Sequence, residues 1–148
     1  MNRKQLQLEV CKALLDVNNR VFASELNEHE IAVTTTGFDV VVFDKNEIVF
    51  DASKIRKTET LKKVLSDSDT DEPIKSAKEL FKSDDKIYEK YKGENIEIYV
   101  NASIAKKFNG FVLFANSEHG RILAKDQLGR TVGAFLPVKY DKKKDVKQ

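Results

Sequence analysis

Residues 111–140, FVLFANSEHGRILAKDQLGRTVGAFLPVKY, constrain the fold of this chain more than any other stretch. Short apolar runs alternate here with turn-forming residues at SEHG and DQLG, a pattern typical of three strands joined by two turns. Pro137 lies in the last of these runs and favours an edge position, because proline cannot donate a hydrogen bond to a sheet. We therefore expect an antiparallel sheet in the C-terminal third of the chain.

The N-terminal part of the chain has the same plan. A helix is predicted over residues 3–17, where apolar side chains cover so wide an arc that burial on more than one side is expected. Residues 30–52 then alternate in hydrophobicity as three strands of an antiparallel meander do. Near the other end, a strand at 96–100 and a short helix capped by Asn101 precede the three C-terminal strands. The sequence thus predicts an α+β fold with two halves, each a helix followed by three antiparallel strands.

Residues 54–92 differ from both ends and predict a charged helical insertion of two or three helices. Pro73 suits the first turn of one of these helices, and the acidic stretch before it is expected to be an exposed linker. Helical spacing of apolar residues supports the assignment at Ile74, Ala77, Leu80 and Phe81.

Length and cysteine content limit the domain organisation and the cellular compartment. The chain has 148 residues and one cysteine, which fits a single domain over residues 1–140 followed by a charged, disordered tail at 141–148. A lone cysteine favours a reducing compartment, so we expect the cytoplasm. The sequence has no apolar run long enough to span a bilayer, and no membrane partner is predicted.

No catalytic or metal-binding constellation is visible, so the sequence predicts a protein that is not an enzyme and uses no cofactor or metal. The acidic run 67–71 matches the first ligand positions of an EF-hand loop, but Glu72 stands where that loop needs glycine and Lys78 where it needs glutamate. Two histidines and one cysteine are too few for a zinc site. Ser117 and His119 lack the nucleophile elbow and the oxyanion loop of a hydrolase.

Basic residues give the sharpest functional hypothesis. Residues 95–148 contain ten Lys or Arg against five Asp or Glu, an excess that indicates an acidic partner. Because alternate residues of a strand share a face, such a sheet can present a basic surface that contacts phosphates without reading the base sequence. The alternative is a solvated sheet face, with helix-end lysines placed favourably in the helix dipole. The candidate nucleic-acid-binding residues are Lys106, Lys107, Arg121, Lys125, Arg130 and Lys139.

Residues 96–140 resemble the closing half of a DNA sliding-clamp (processivity factor) domain. VNASIAKKF, from residue 100, is similar to the helix segment that follows the first strand of such a half-domain. GAFLPVKY, from residue 133, is similar to the terminal strand of bacterial clamps. The resemblance implies a non-enzymatic role in DNA transactions, and a ring of such domains requires several copies of the chain.

Two hypotheses of function follow. In the first, the chain is a non-catalytic accessory protein of nucleic-acid metabolism that binds DNA or a replication protein through the basic sheet face; a homo-oligomer belongs to this hypothesis. In the second, it is a protein–protein interaction or inhibitor module that makes no contact with nucleic acid.

Overall fold

The computed structural model describes residues 1–116 and 120–138, which form three α-helices and ten strands. The helices are α1 (Arg3–Leu14), α2 (Thr60–Val64) and α3 (Ala102–Lys106). The strands are β1 (Phe22–Glu25), β2 (Glu30–Thr34), β3 (Asp39–Asp44), β4 (Arg56–Lys57), β5 (Glu72–Ser83), β6 (Lys86–Lys92), β7 (Glu97–Asn101), β8 (Val112–Ala115), β9 (Ile122–Lys125) and β10 (Thr131–Phe135). The predicted α+β class is confirmed.

The strands form one sheet in the order β4-β1-β2-β3-β10-β9-β8-β5-β6-β7. Neighbouring strands are antiparallel, except that β4 runs parallel to β1. Two meanders, β1–β2–β3 and β8–β9–β10, meet where β3 pairs with β10, and Val41 lies opposite Gly133 there. Helix α1 precedes the first meander and α3 precedes the second, so the two meanders occupy equivalent places in their parts of the chain.

The central strands β2, β3, β10, β9 and β8 bury side chains on both faces, because successive residues of a strand point to opposite sides. We call the surface packed against α1 the α1 face; it carries Ile31, Val33, Val41, Phe43, Leu113, Ile122 and Phe135. We call the opposite surface, packed against α2, the α2 face; it carries Ala32, Val40, Val42, Leu123 and Ala134.

The α1 face holds the larger part of the core. Leu6 and Val10 of α1 are buried against it. Tyr91 of β6 and Val100 of β7 belong to the same cluster, so the far end of the sheet also contributes to this side. A continuous core of this kind supplies most of the burial that stabilises the domain.

Phe108 closes the α1 face next to α3. Its ring stacks on Phe135, with ring centroids 5.2 Å apart. Gly133 makes room for the ring, since a Cβ there would collide with the Phe108 side chain and with the carbonyl oxygen of Val40. Glycine is therefore required by close approach in the middle of β10.

The predicted helical insertion at 54–92 is wrong over most of its length. In the described part of the chain, α2 is the sole α-helix within these residues, and 72–92 form the β5–β6 hairpin instead. Asp84 and Asp85 make its two-residue turn, with Asp84 at φ 56°, in the left-handed region that aspartate tolerates better than most residues. The proline placed at a helix start, Pro73, pairs with β8.

Aromatic pairing explains why a strand forms where the apolar spacing suits a helix. Phe81 lies opposite Tyr88 across the hairpin, and its ring meets Tyr99 of β7 edge to face at 5.6 Å. Such cross-strand aromatic pairs stabilise a sheet, and no helix could provide them. The helical spacing was itself misleading, because Leu80 is 65% exposed.

Two further expectations for the N-terminal part are corrected. Helix α1 buries one side only, through Leu6 and Val10. It ends at Leu14, before the predicted end, and Leu15 and Val17 beyond it are 84% and 94% exposed. The first meander starts with the unpredicted strand β1, whereas residues 48–52 are not a strand. Phe50 is nevertheless buried, and its ring packs against that of Phe43.

The last strand lies in the middle of the sheet and not at its edge. Strand β10 pairs with β3 and β9 on its two sides and ends before Pro137, so the proline does not interrupt a ladder. Val138 then forms an isolated bridge to Tyr99 of β7. Lys139 and the predicted tail at 141–148 lie outside the described residues. Within the described part, no helix is both long and apolar enough to cross a membrane.

Candidate ligand-binding groove

Arg121, predicted to contact phosphates, lies inside the protein. Its side chain is 8% exposed and forms a bidentate ion pair with Asp71, with Nη1 and Nη2 at 2.8 and 2.9 Å from the two carboxylate oxygens. Nη2 also donates to the carbonyl oxygen of Ser66, and Asn116 donates to Asp71. The guanidinium therefore fastens the acidic segment, residues 66–71, to the start of β9.

The carboxylate of Asp71 is held ionised by this network. Burial raises its pKa, but the hydrogen bonds from Arg121, from the backbone N–H of Ser68 and from Asn116 together outweigh burial and bring the pKa below its usual range. A buried pair of this geometry is costly to break, since either partner alone leaves an uncompensated charge.

Lys125 is paired with the same acidic segment. Its ammonium contacts Asp67 and lies 5.3 Å from the centre of the Phe114 ring. The acidic segment, predicted to be an exposed linker, therefore packs on the strand that was predicted to present a basic face. The two charge runs neutralise each other, which neither run indicates when taken by itself.

Lys107 belongs to a third ion-pair site, on the other side of the sheet. Its ammonium lies 2.9 Å from Asp39 and 3.3 Å from Glu9, and so connects α3, β3 and α1. Burial lowers the pKa of Lys107, but the two carboxylates outweigh it and the pKa is raised. The role of this lysine is to hold elements together at the α1 face.

The remaining predicted residues do not extend a common surface. Lys106 is exposed at the end of α3, and Arg130 is 72% exposed beside Asp126 in the turn before β10. Lys139 lies outside the described residues. Among the five described members of the predicted set, only Lys106 and Arg130 offer a largely exposed charge. The structure therefore does not bring the six residues together as one basic face.

An apolar groove lies on the α2 face, between α2 and the ends of β3 and β10. We call it the α2 groove; its volume is about 450 Å³ and its apolar walls are formed mainly by Phe22, Phe38, Val40, Leu61, Val64 and Leu136. Phe38 is 58% exposed and Leu136 is 38% exposed, so both side chains are accessible to a ligand at the mouth of the groove. Nothing in the lining carries a charge.

The groove exists because α2 is short. Only Leu61 of its five residues is buried, and Leu65 follows immediately, so one turn of helix covers the middle of the face and leaves its end open. The hydroxyl of Thr58 accepts a hydrogen bond from the backbone N–H of Thr60 and fixes the approach to the helix. Thr34 and Thr58 add hydroxyl groups to the otherwise apolar wall.

A second cavity, of about 420 Å³, continues the groove toward the acidic segment. The two share Val64 and Leu136 as walls. The second is the more polar of the two, since Lys63, Asp67, Ser68 and Arg121 line it. A ligand can therefore meet an apolar wall and a polar wall along one surface.

Sequence reasoning did not identify this site. Val40 and Val42 share the α2 face, but which end of that face stays uncovered depends on the path of the chain through 54–71. The sequence gives one indication that the side chains at the mouth are exposed: each bulky apolar residue is next to a turn-forming one. Phe38 follows Gly37, and Leu136 precedes Pro137.

The described residues offer no metal-binding cluster to compete with the groove. No three His, Cys, Asp or Glu side chains within the described ranges come together so as to hold a metal ion. His29 lies in the turn between β1 and β2, where its backbone N–H donates to Asn27. Ser117 and His119 fall outside the described residues.

Comparison of the chain with known protein families, with curated proteins and with solved structures gives no significant match.

Proposed function

We propose that this protein is a non-catalytic binding module that holds an apolar side chain of a protein partner in the α2 groove. The observation that carries the proposal is the groove itself, an uncharged concavity of about 450 Å³ with half-exposed Phe38 and Leu136 at its mouth. Apolar concavities of this size are the usual binding sites for apolar groups. The cytoplasm is the proposed compartment.

A protein fits this surface better than a nucleic acid for two reasons. Arg121 and Lys107 are committed to buried or half-buried ion pairs and are not available to phosphates. The lining of the α2 groove carries no charged side chain and so offers no contact to a phosphate backbone. The second of the two functions predicted from the sequence, an interaction module, is therefore the one that we favour.

The first function remains the second candidate. Residues 54–63, KIRKTETLKK, are rich in exposed basic side chains and provide a charged surface that the predicted set did not include. The repeated order of one helix and three antiparallel strands is the feature on which a clamp-like topology rests. In this hypothesis several copies of the chain assemble on DNA, with Lys106 and Arg130 among the contacts.

Chemical-shift mapping by NMR tests the proposed function directly. The probe is a short, capped, neutral peptide that carries Phe and Leu, and its matched control has Ser in both places. We expect the Phe-Leu peptide to shift the resonances of Phe38, Val64 and Leu136 and the Ser-Ser peptide to shift none of them. Shifts that are absent at millimolar peptide, or that map elsewhere, contradict the proposal.

Two variants distinguish binding in the groove from non-specific hydrophobic binding elsewhere on the surface. Phe38→Asp places a charge at the mouth and should abolish the shifts. Leu128→Asp makes the same change at a residue that is 78% exposed in the turn before β10 and should leave them intact. Binding of a DNA duplex or a single strand by the native chain, together with a solution mass of several chains, would favour the second candidate instead.

A further inference from the structure

The α2 groove is bordered by positive charge that has no internal partner. We call Arg56, Lys62 and Lys63 the basic rim. All three are exposed, and none lies within ion-pair distance of a carboxylate among the described residues. Between residues 54 and 65 the chain has five basic side chains and one acidic one, Glu59.

The path of the chain brings this rim to the groove. Arg56 lies opposite Phe22 in the β1–β4 pair, and its guanidinium stands 4.5 Å from the centre of that ring, which is part of the groove wall. Lys57 lies opposite Ala23, which belongs to the core of the α1 face, so its side chain projects away from the groove and is not part of the rim. Arg56 donates hydrogen bonds to Asn19, a neutral group, so its charge is not neutralised.

The helix extends the rim along the groove. Lys62 and Lys63 lie on α2 between Leu61 and Val64, both of which line the apolar wall. Lys63 also lines the polar cavity that continues the groove. A ligand that reaches from the groove into this cavity therefore meets the Lys63 side chain next to the apolar wall.

Two of the acidic side chains close to the rim are already paired with other cations. The carboxylate of Asp71 is taken up by Arg121, and that of Asp67 contacts Lys125. The rim has no ion-pair partner among the described residues and is open to an external anion. Charge complementarity of this kind determines which partners associate and how fast, more than it determines total affinity.

We infer that the occupant of the α2 groove is an acidic protein segment that carries one or two bulky apolar anchor residues. This inference rests on the proposed function and names the chemistry of its partner. The apolar anchor fills the groove between Phe38 and Leu136, and Asp or Glu residues on either side of the anchor pair with the basic rim. The groove volume of about 450 Å³ suits one or two large side chains and no more.

A nucleic acid is a poorer occupant of the same surface. The rim follows a two-residue strand and one turn of helix, a shorter track than a phosphate backbone needs for several contacts. Bases bind by stacking on flat aromatic faces, and the groove wall offers mainly aliphatic side chains beside Phe22 and Phe38.

Fluorescence anisotropy with three labelled peptides tests the inference. The first peptide is rich in Asp around one Phe and one Leu; the second has Lys for every Asp; the third keeps Asp and has Ser for Phe and Leu. At about 50 mM salt, where surface charges are weakly screened, we expect the first to bind at least about tenfold more tightly than either of the others. The neutral Phe-Leu peptide serves as the reference for binding in the groove alone.

Charge reversal on the rim supplies the matched variants. Lys62→Glu combined with Lys63→Glu should weaken the acidic peptide about tenfold and leave the neutral peptide unchanged, because only charge pairs are lost. Lys82→Glu combined with Lys86→Glu makes the same change in exposed lysines of the β5–β6 hairpin and should leave both affinities unchanged.

The outcomes distinguish the inference from the function on which it rests. If the acidic and neutral peptides bind equally, or if reversal of the rim has no effect, the acidic partner is wrong while binding in the groove stands. If no peptide binds, the proposed function fails as well. If single-stranded oligothymidylate binds more tightly than the acidic peptide and loses affinity on rim reversal, the rim belongs to a nucleic acid and the inference is overturned.

Discussion

The two faces of the central sheet are built from the same strands and are covered very differently. On the α1 face, a twelve-residue helix, the segment around Phe108 and two distal strands share one continuous core. On the α2 face, a helix of five residues and the acidic segment cover part of the surface and leave the groove open. Alternation along β3 supplies both faces equally, with Val41 and Phe43 on one side and Val40 and Val42 on the other.

The difference shows that the strands alone do not decide where this domain is stable and where it can bind. Apolar cover closes the α1 face, whereas the α2 face is closed at one end by a buried ion pair and remains open at the other. Residues at the closed positions should therefore control unfolding, and residues at the open mouth should control ligand binding. The predictions below test this division, beginning with the largest effect.

Phe108→Ala should be the most destabilising of the changes considered. The Phe108 side chain is 1% exposed and stacks on Phe135, so truncation removes buried apolar area and leaves a cavity. We expect the free energy of unfolding to fall by about 3–5 kcal/mol. Urea denaturation followed by circular dichroism measures the change, and a loss below about 1 kcal/mol would show that the α1 face can collapse around the missing ring.

Arg121→Ala should be the costliest single change on the α2 face. It leaves Asp71 buried without its guanidinium and unfastens the acidic segment from β9. We expect a loss of about 3 kcal/mol, as for other buried pairs broken on one side. The matched control is Arg130→Ala, which removes an exposed arginine from its pair with Asp126 and should change stability by less than about 0.5 kcal/mol.

Acid should weaken the α2 face through the same pair. The pKa of Asp71 is lowered in the folded protein, so its contribution is present above the ordinary aspartate pKa of about 3.9 and is lost as pH falls through the lower folded value. Asp71→Asn should therefore be destabilising at neutral pH and should show a flatter loss of stability below about pH 4 than the native chain. If the free energy of unfolding falls equally steeply below about pH 4 in both proteins, Asp71 is not the group responsible for the acid sensitivity.

The sequence allowed part of this division to be predicted. Short apolar runs indicated the strands β2, β3 and β9, because burial on both faces makes nearly every residue of such a strand apolar. The β5–β6 hairpin was missed, since helical spacing is a local signal and the partners of Phe81 lie in other strands. Tertiary pairing overrode local propensity there.

The site could not be predicted for a related reason. Arg121 and Asp71 are fifty residues apart in sequence, so neither residue indicates that the other neutralises it. The α2 groove is defined by what α2 fails to cover, and that depends on the length of a helix which ends after five residues. Charge and spacing pointed to six basic residues but could not show which of them face solvent and which are taken up by internal ion pairs.

Alkaline titration should show that the Tyr91 phenol, buried on the α1 face, ionises at higher pH than an exposed phenol does. Burial of the Tyr91 phenol, together with the neighbouring carboxylate of Glu89, raises the pKa of Tyr91 to about 12. Because the folded value lies above the ordinary one of about 10, the stability linked to this group is complete below pH 10 and is lost as pH rises toward 12. Ultraviolet absorbance should show a late-ionising phenol that Tyr91→Phe removes; an unchanged titration in that variant would contradict the assignment.

Phe38→Ser should have the smallest effect on stability and the largest on binding. The ring is 58% exposed at the mouth of the groove, so little buried area is lost and we expect the free energy of unfolding to change by at most about 0.5 kcal/mol. The same ring provides apolar wall for a bound anchor residue, so the affinity for the Phe-Leu peptide should fall severalfold or more. Phe108→Ala should give the opposite result under conditions where both proteins are folded: a large loss of stability with nearly native affinity. If the two effects instead rise and fall together in both variants, the faces are not independent, and the groove is part of the core that stabilises the fold.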